Sequence, residues 1–445
     1  MAHKRAGLTK ASKNSQSTPQ LPTVEAYPAP AELHGAHATV SSGTGGQISI
    51  NVNITGRDDG SGGVAPGSGF GNAGRMQAKD SAGIVETAIS PTHKKRRGNR
   101  TGDEDVTTEY TVPGGINVKA AKEFLTKHNW PSGLQEALLR SCERMPIRFF
   151  ITDDSGSMLT NDGHRIVGSG DKTKLISCTR WSELSASLKF HAELAHIANA
   201  PSEFRLLNNA DPVLVGMPGD EEAFTLVKEI FGDGPGGKTP VCAQIHAVVA
   251  KISKIEDSLR ANNQRAAVII CTDGVSTDGD VAEAMRPLQS LPVWVVVRLC
   301  TDEDEVIDYW NNIDGELELE MDVLDDVEGE AKEVRAVNDF LFYGEPLHRM
   351  REFGAALKEM DLIDEDTLSS EQMSVIVSHL CCGATDLPHP DEDWDSFIAA
   401  VKSGLKKTKQ CWDPIEKRMV QWIHLANLES RYGDKKGGSS ACVVS

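Results

Sequence analysis

Five oxygen-bearing side chains stand out by type and spacing. Asp153, Ser155 and Ser157 follow the apolar run Ile147–Thr152 as Asp-x-Ser-x-Ser. Thr239 sits in the glycine-rich stretch Gly232-Asp-Gly-Pro-Gly-Gly-Lys-Thr-Pro240, and Asp273 ends the run Ala266–Thr272 as Thr272-Asp273-Gly274. Two carboxylates and three hydroxyls make a hard donor set of modest charge. Calcium wants more oxygens; magnesium or manganese, keeping some of its waters, suits the set and leaves a position for an outside group. If the three segments converge, they form a divalent-cation cradle. Asp154, next to the first carboxylate, is expected to be solvated or capping.

Convergence needs a scaffold that brings distant strand ends together. Ile147–Thr152, Ala266–Thr272 and Val293–Leu299 are short, apolar runs, the mark of buried strands. Helical spacing covers Ser182–Ala198, Glu221–Phe231, about 240–262, Val281–Leu288 and Asp304–Asn311. Phe204–Leu207 and Pro212–Val215 read as paired strands, and Leu317–Leu324 as an edge strand. Strands alternating with helices predict an α/β fold: a doubly wound, mostly parallel sheet with ligands at its C-terminal edge. Residues 113–143 read as a helical lead-in with helices at Val118–Lys127 and Ser132–Cys142. The sheet domain is expected over 144–335, and its segment holding Gly163, Gly168 and Gly170 reads as a loop. A helical extension is predicted over 336–430. It comprises Pro346–Lys358, Glu371–Leu380 behind the capping box Ser369–Gln372, Trp394–Leu405 and Pro414–Leu428. Trp181, Trp310 and Trp422 fall in or beside helical patterns and are expected in the core.

The motifs, in this order, resemble the metal-ion-dependent adhesion site of the von Willebrand factor A (vWA) family, which joins Asp-x-Ser-x-Ser to a distant Thr and a distant Asp. The likeness spans residues 145–325. It implies a Rossmann-like vWA fold in which Ser155, Ser157 and Thr239 contact Mg²⁺ (or Mn²⁺) directly. Asp153 and Asp273 would act mostly through water and orient the hydroxyls. The resemblance further implies an intracellular adaptor, not an enzyme, whose protein partner offers an Asp or Glu to complete the coordination.

Other chemistries fit less well. Asp154-Ser155-Gly156 is the aspartic-protease triplet, but a second triplet is missing and the helices contradict an all-β fold. Phosphotransfer would want Asp-x-Asp where Ser155 stands, and no Gly-x-Ser-x-Gly elbow falls at a strand-to-helix turn. Residues 232–239 do satisfy the phosphate-loop spacing, which keeps a nucleotide-binding hydrolase as the alternative. Against it, the preceding segment reads as a helix and Pro240 follows the threonine. His379, Cys381, Cys382 and His389 match no common zinc spacing, so a buried thiol pair is expected there.

The 445-residue chain has a net charge of −19, unevenly spread. Residues 1–100 hold twelve Lys/Arg and six Asp/Glu, which is +6 and leaves −25 for the rest. An acidic body argues against nucleic acid as a main partner. Thr301–Val334 carries fifteen acids and one base, expected mainly on solvated faces. Nine scattered cysteines without a Cys-x-x-Cys pair point to a reducing compartment. No secretory leader and no apolar run of ~18 residues is seen. The expectation is cytoplasmic, with the nucleus as alternative.

Residues 1–112, rich in Gly, Ser and Pro, are expected to be disordered. Within them Gln47–Ile54 alternates with period two and could pair with a partner strand, and His93–Arg100 is a basic cluster suited to nuclear import or an anionic membrane. A flexible tail, 431–445, finishes Cys442-Val-Val-Ser445, which resembles a farnesylation box. Prenylation of Cys442 would give peripheral membrane contact, with a second signal needed to hold it.

Overall fold

The structure, a computed structural model, describes residues 39–42, 48–51, 115–208, 211–301, 303–383 and 387–433. Two strands, β1 (Thr39–Ser42) and β2 (Ile48–Asn51), pair antiparallel with Thr39 opposite Asn51. The alternating segment thus has its partner in its own chain. These strands lie in one unit, Ala6–Arg100, and every element below lies in another. The expectation of disorder over the rest of 1–112, the basic cluster 93–100 and the Cys442 box all fall outside the described residues.

Helices α1 (Val118–Lys127) and α2 (Ser132–Arg144) lead into β3 (Ile147–Thr152). Then come β4 (Gly163–Val167), β5 (Lys174–Cys178), α3 (Arg180–Ala198), β6 (Ser202–Leu206), β7 (Val213–Val215), α4 (Glu221–Ile230) and α5 (Val241–Ala261). The alternation continues through β8 (Ala266–Thr272), α6 (Val281–Met285), β9 (Val293–Leu299), α7 (Asp304–Glu316) and β10 (Met321–Leu324). The chain closes with α8 (Val327–Val337), α9 (Glu345–Glu352), α10 (Lys358–Asp361), α11 (Ser370–Val377), α12 (Trp394–Leu405), β11 (Cys411–Asp413), β12 (Arg418–Val420) and α13 (Leu425–Tyr432).

The central sheet has six strands in the order β10-β9-β8-β3-β6-β7. Neighbours run parallel except β7, which pairs antiparallel with β6 at one edge. Counted by appearance in the chain, that order is 6-5-4-1-2-3. The winding therefore reverses between β3 and β8, and the loops leaving those two strands part to opposite faces and open a crevice there.

Side chains alternate between two cores because successive residues of a strand point to opposite faces. Ile147, Phe149 and Ile151 of β3 join Val268 and Ile270 of β8 and Val295 and Val297 of β9 under Ile245, Val248 and Ile252 of α5 and Trp310 of α7. On the other face Phe150, Phe204, Ile269 and Val296 meet Leu188 and Ala192 of α3 and a large C-terminal set that includes Phe340, Leu347 and Phe353. Each such side chain, fully buried, contributes roughly 1.5–3 kcal/mol. Trp181, Trp310 and Trp422 are all buried, the first two within helices and Trp422 in the segment between β12 and α13.

Two expectations are corrected. The segment around Gly163, Gly168 and Gly170 is no loop: β4 and β5 form an antiparallel hairpin, Gly163 opposite Cys178. Gly168 turns it at φ +93°, where an added Cβ would lie 2.4 Å from the Lys172 carbonyl. Pro414–Leu428 is not one helix either. The buried Asp413 accepts from Glu416 N at 2.9 Å and Lys417 takes φ +53°, a turn that joins β11 to β12 before α13 begins. By contrast, the capping box at Ser369 and Gln372 is present with both of its bonds.

Candidate functional site

β3 and β8 deliver two of the five donors to the crevice. Asp153 is held at the end of β3 by its amide, which donates to the Cys271 carbonyl of β8 at 2.8 Å. Its carboxylate is fully buried. Oδ1 accepts from Ser155 N at 2.9 Å and Oδ2 from Thr272 Oγ1 at 2.8 Å. Burial pushes this carboxyl above its usual range, and the bonds from Ser155 and Thr272 pull it back in part. Among the described residues no cationic side chain reaches it. A carboxylate withdrawn from water without a counter-charge is costly unless something positive joins it.

The hydroxyls close a chain across the crevice. Ser155 Oγ and Ser157 Oγ lie 2.9 Å apart, and Ser157 Oγ donates to Asp273 Oδ1 at 2.9 Å. Three of the five donors thus meet from the ends of two strands, Ser157 and Asp273 being 116 residues apart in the chain. The glycine loop is stitched to the same place through the backbone: Gly236 N donates to the Asp154 carbonyl at 2.6 Å and Gly156 N to the Gly237 carbonyl at 3.3 Å. Thr239 exchanges bonds with the loop after β8, donating through its amide to Thr277 Oγ1 at 3.2 Å and accepting from Thr277 N at 2.9 Å. Its own hydroxyl has no partner among the described residues.

Asp154 has a structural task. Its Oδ1 accepts from both the amide and the side-chain nitrogen of Asn208, each at 2.9 Å. Asn208 in turn donates to the Lys238 carbonyl at 2.9 Å, so Asp154 and Asn208 clamp the glycine loop. Gly237 makes the clamp feasible: at φ +105° its missing Cβ would sit 2.3 Å from Asn208 Oδ1.

Arg180, a residue sequence reasoning passed over, joins the site from the first turn of α3. Nη1 donates to Asp273 Oδ2 at 3.0 Å, while Nε and Nη2 grip Asp162 at 2.8 and 2.5 Å and Nη2 also meets Glu303 at 2.8 Å. Hydrogen bonds donated to Asp162 first, then to Glu303 and Asp273, raise its pKa against the opposing effect of burial. A signal existed: a cation in a helix's first turn opposes the helix dipole and needs carboxylates close by.

Asp153, Ser155, Ser157 and Asp273, linked by hydrogen bonds within the crevice, are oxygen donors of the kind a small hard cation takes. Four of the five side chains are buried and Ser157 is exposed, so the cradle opens to solvent on one side. With Arg180 offsetting Asp273, the set carries about one uncompensated negative charge, that of Asp153. The N-terminus of α5, where a phosphate would bind, is already capped: Asp278 accepts from Cys242 N at 3.1 Å and Ala243 N at 2.8 Å. The glycine loop also follows α4, not a strand.

Elsewhere among the described residues, Glu330, Glu333 and Asp364 cluster closely enough to hold an ion. Two of them are already spent on Arg351, Glu330 at 2.5 Å and Asp364 at 2.8 Å, alongside Asp322 at 2.9 Å. Part of the acid-rich stretch 301–334 is therefore buried against a base from α9, not solvated. Cys381 is buried and donates to the Val377 carbonyl at 2.9 Å. No described helix is long and apolar enough to cross a membrane. Neither a protein-family profile nor a curated protein matches this chain.

Proposed function

We propose that this chain is a protein-binding module of the vWA type, which captures an acidic side chain of a partner at a divalent-cation site. The observation that carries the reading is the hydrogen-bonded run Ser155–Ser157–Asp273 at the switch point of the sheet, beside the buried, uncompensated Asp153. Ser155, Ser157 and Thr239 would hold the ion, and Asp153 and Asp273 would orient the hydroxyls. When bound, Mg²⁺ or Mn²⁺ supplies an electrophilic coordination position for an incoming carboxylate.

This chain's residues do the rest. Arg180 keeps Asp273 from contributing its full charge, so the site stays attractive to an outside carboxylate. The clamp of Asp154 on Asn208 holds the glycine loop against the 154–156 turn, which would let Thr239 join the serines without reordering. Ser157 Oγ donates to Asp273, whose other oxygen is held by Arg180, and neither serine is bonded to a histidine among the described residues. The nucleotide alternative has less support, because Asp278 occupies the helix end that phosphates would need.

Titration calorimetry of the full chain with MgCl₂ and MnCl₂, then with ATP, tests the reading. Saturable heat with either metal and none with ATP is expected. Binding of ATP without prior metal binding would overturn it.

A further inference from the structure

A cleft of about 310 Å³ opens beside the cradle, bordered by Asp154, Trp181, Leu206, Asn208, Ile230 and Asp233. Its wall is built. Trp181 is buried and pinned, its indole Nε1 donating to the Asp233 carbonyl at 2.8 Å, and Leu206 closes the back. Two carboxylates, Asp154 and the exposed Asp233, border the same opening, and among the described residues no Lys or Arg lines it. Asp154 has committed one oxygen to Asn208; the other has no partner among the described residues. Two acids and an aromatic ring around one opening suit a planar cation, which can pair with carboxylates and lie against an indole at once.

We propose that this cleft receives an arginine side chain of the partner, next to the acidic residue that enters the cation site. The inference rests on the adhesion reading above and extends it: the recognised segment is an arginine beside an aspartate or glutamate. Asp153 and Asp154 are consecutive, so the arginine and the acid would be near neighbours in the partner chain. The pairing also gives selectivity. An isolated carboxylate satisfies the cradle alone, whereas a base–acid pair satisfies both sites and meets no like charge.

The test uses the full chain labelled with 5-fluorotryptophan, with Trp181→Phe identifying the Trp181 fluorine resonance. N-acetyl-arginine amide is titrated against its neutral isostere, N-acetyl-citrulline amide, in MgCl₂ and again in chelator. Arginine amide is expected to shift the Trp181 signal in both conditions, with citrulline about tenfold weaker. Asp154→Asn with Asp233→Asn should weaken arginine by a similar factor, since Asn at 154 keeps the acceptor for Asn208 and so the loop clamp. The dipeptide Ac-Arg-Asp-NH₂ should bind in Mg²⁺ about tenfold more tightly than Ac-Ala-Asp-NH₂. No shift with arginine amide, or equal response to citrulline, overturns the cleft assignment. A Trp181 shift without any metal binding would leave the cleft standing and sink the cation reading instead.

Discussion

Arg180 Nη1 and Asp273 Oδ2 lie 3.0 Å apart with side chains 3% and 0% exposed, so the second carboxylate of the cradle already owns a permanent counter-charge. Asp153 owns none. The two acids are matched in type and opposite in circumstance, and that asymmetry decides how each responds to substitution.

Arg180→Leu should leave Asp273 buried and unpaired, which costs about 3–5 kcal/mol. Its other partners, Asp162 and Glu303, are 34% and 62% exposed and add little. Part of the loss should return in Mg²⁺, because a cation can then serve Asp273. Urea denaturation with and without MgCl₂ reads both effects; an identical loss in the two conditions would separate Asp273 from the cation.

Asp153→Asn removes a charge that the folded protein holds at a loss. In chelator the variant should melt at or above the temperature of the parent. In MgCl₂ the parent should gain about 2.7 kcal/mol at a hundredfold excess over its dissociation constant, and the variant nothing. A variant that still gains from Mg²⁺ would remove Asp153 from the site.

Gly237→Ala puts a methyl group where Asn208 Oδ1 stands, in a backbone conformation side chains avoid. A strain of about 1–3 kcal/mol is expected. Because Asn208 releases Asp154 when it moves, Mg²⁺ affinity should fall even at temperatures where the fold is intact. Calorimetry well below the melting point checks this, and unchanged affinity would mean the clamp does not set the geometry of Thr239.

Asp361, at the end of α10, has its carboxyl pushed up to about 7 by burial and by the neighbouring Asp322 and Glu365. The folded state therefore keeps this proton after the unfolded chain has released its own near pH 4. Stability from this group is full below that pH and is lost as pH rises toward 7. Asp361→Asn should raise the urea midpoint at pH 8 and leave it unchanged at pH 4. The same gain at both values would point to packing, not titration.

The parallel sheet, and the placing of Asp153 and Asp273 at the ends of two of its strands, were legible because each is a local pattern. Ile147–Thr152 and Ala266–Thr272 announce themselves by unbroken apolar runs, and their ends announce the carboxylates. What escaped was non-local. Arg180 looks like a surface residue until Asp162, Asp273 and Glu303 arrive from three other segments. Asp322 and Glu330 look solvated until Arg351 arrives from α9. The β4–β5 hairpin was hidden by its glycines, which supply the turn but also imitate a loop. Pro414–Leu428 misled because a short hairpin and a short helix share one window, and the apolar spacing of the second was extended over the first.

Arg148, the second residue of β3, is wholly buried, with its guanidinium 4.3 Å over the ring of Phe353 and Nε donating to the Phe353 carbonyl at 2.9 Å, a residue 205 positions later. At about 5–20 residues per second, a ribosome reaches that carbonyl roughly 10–40 s after making the arginine. For that interval the guanidinium has only the Met145 carbonyl and Cys142 Sγ to bond, and the C-terminal part of the cover on that sheet face has yet to be made. That face can therefore be sealed only after α9 has left the exit tunnel.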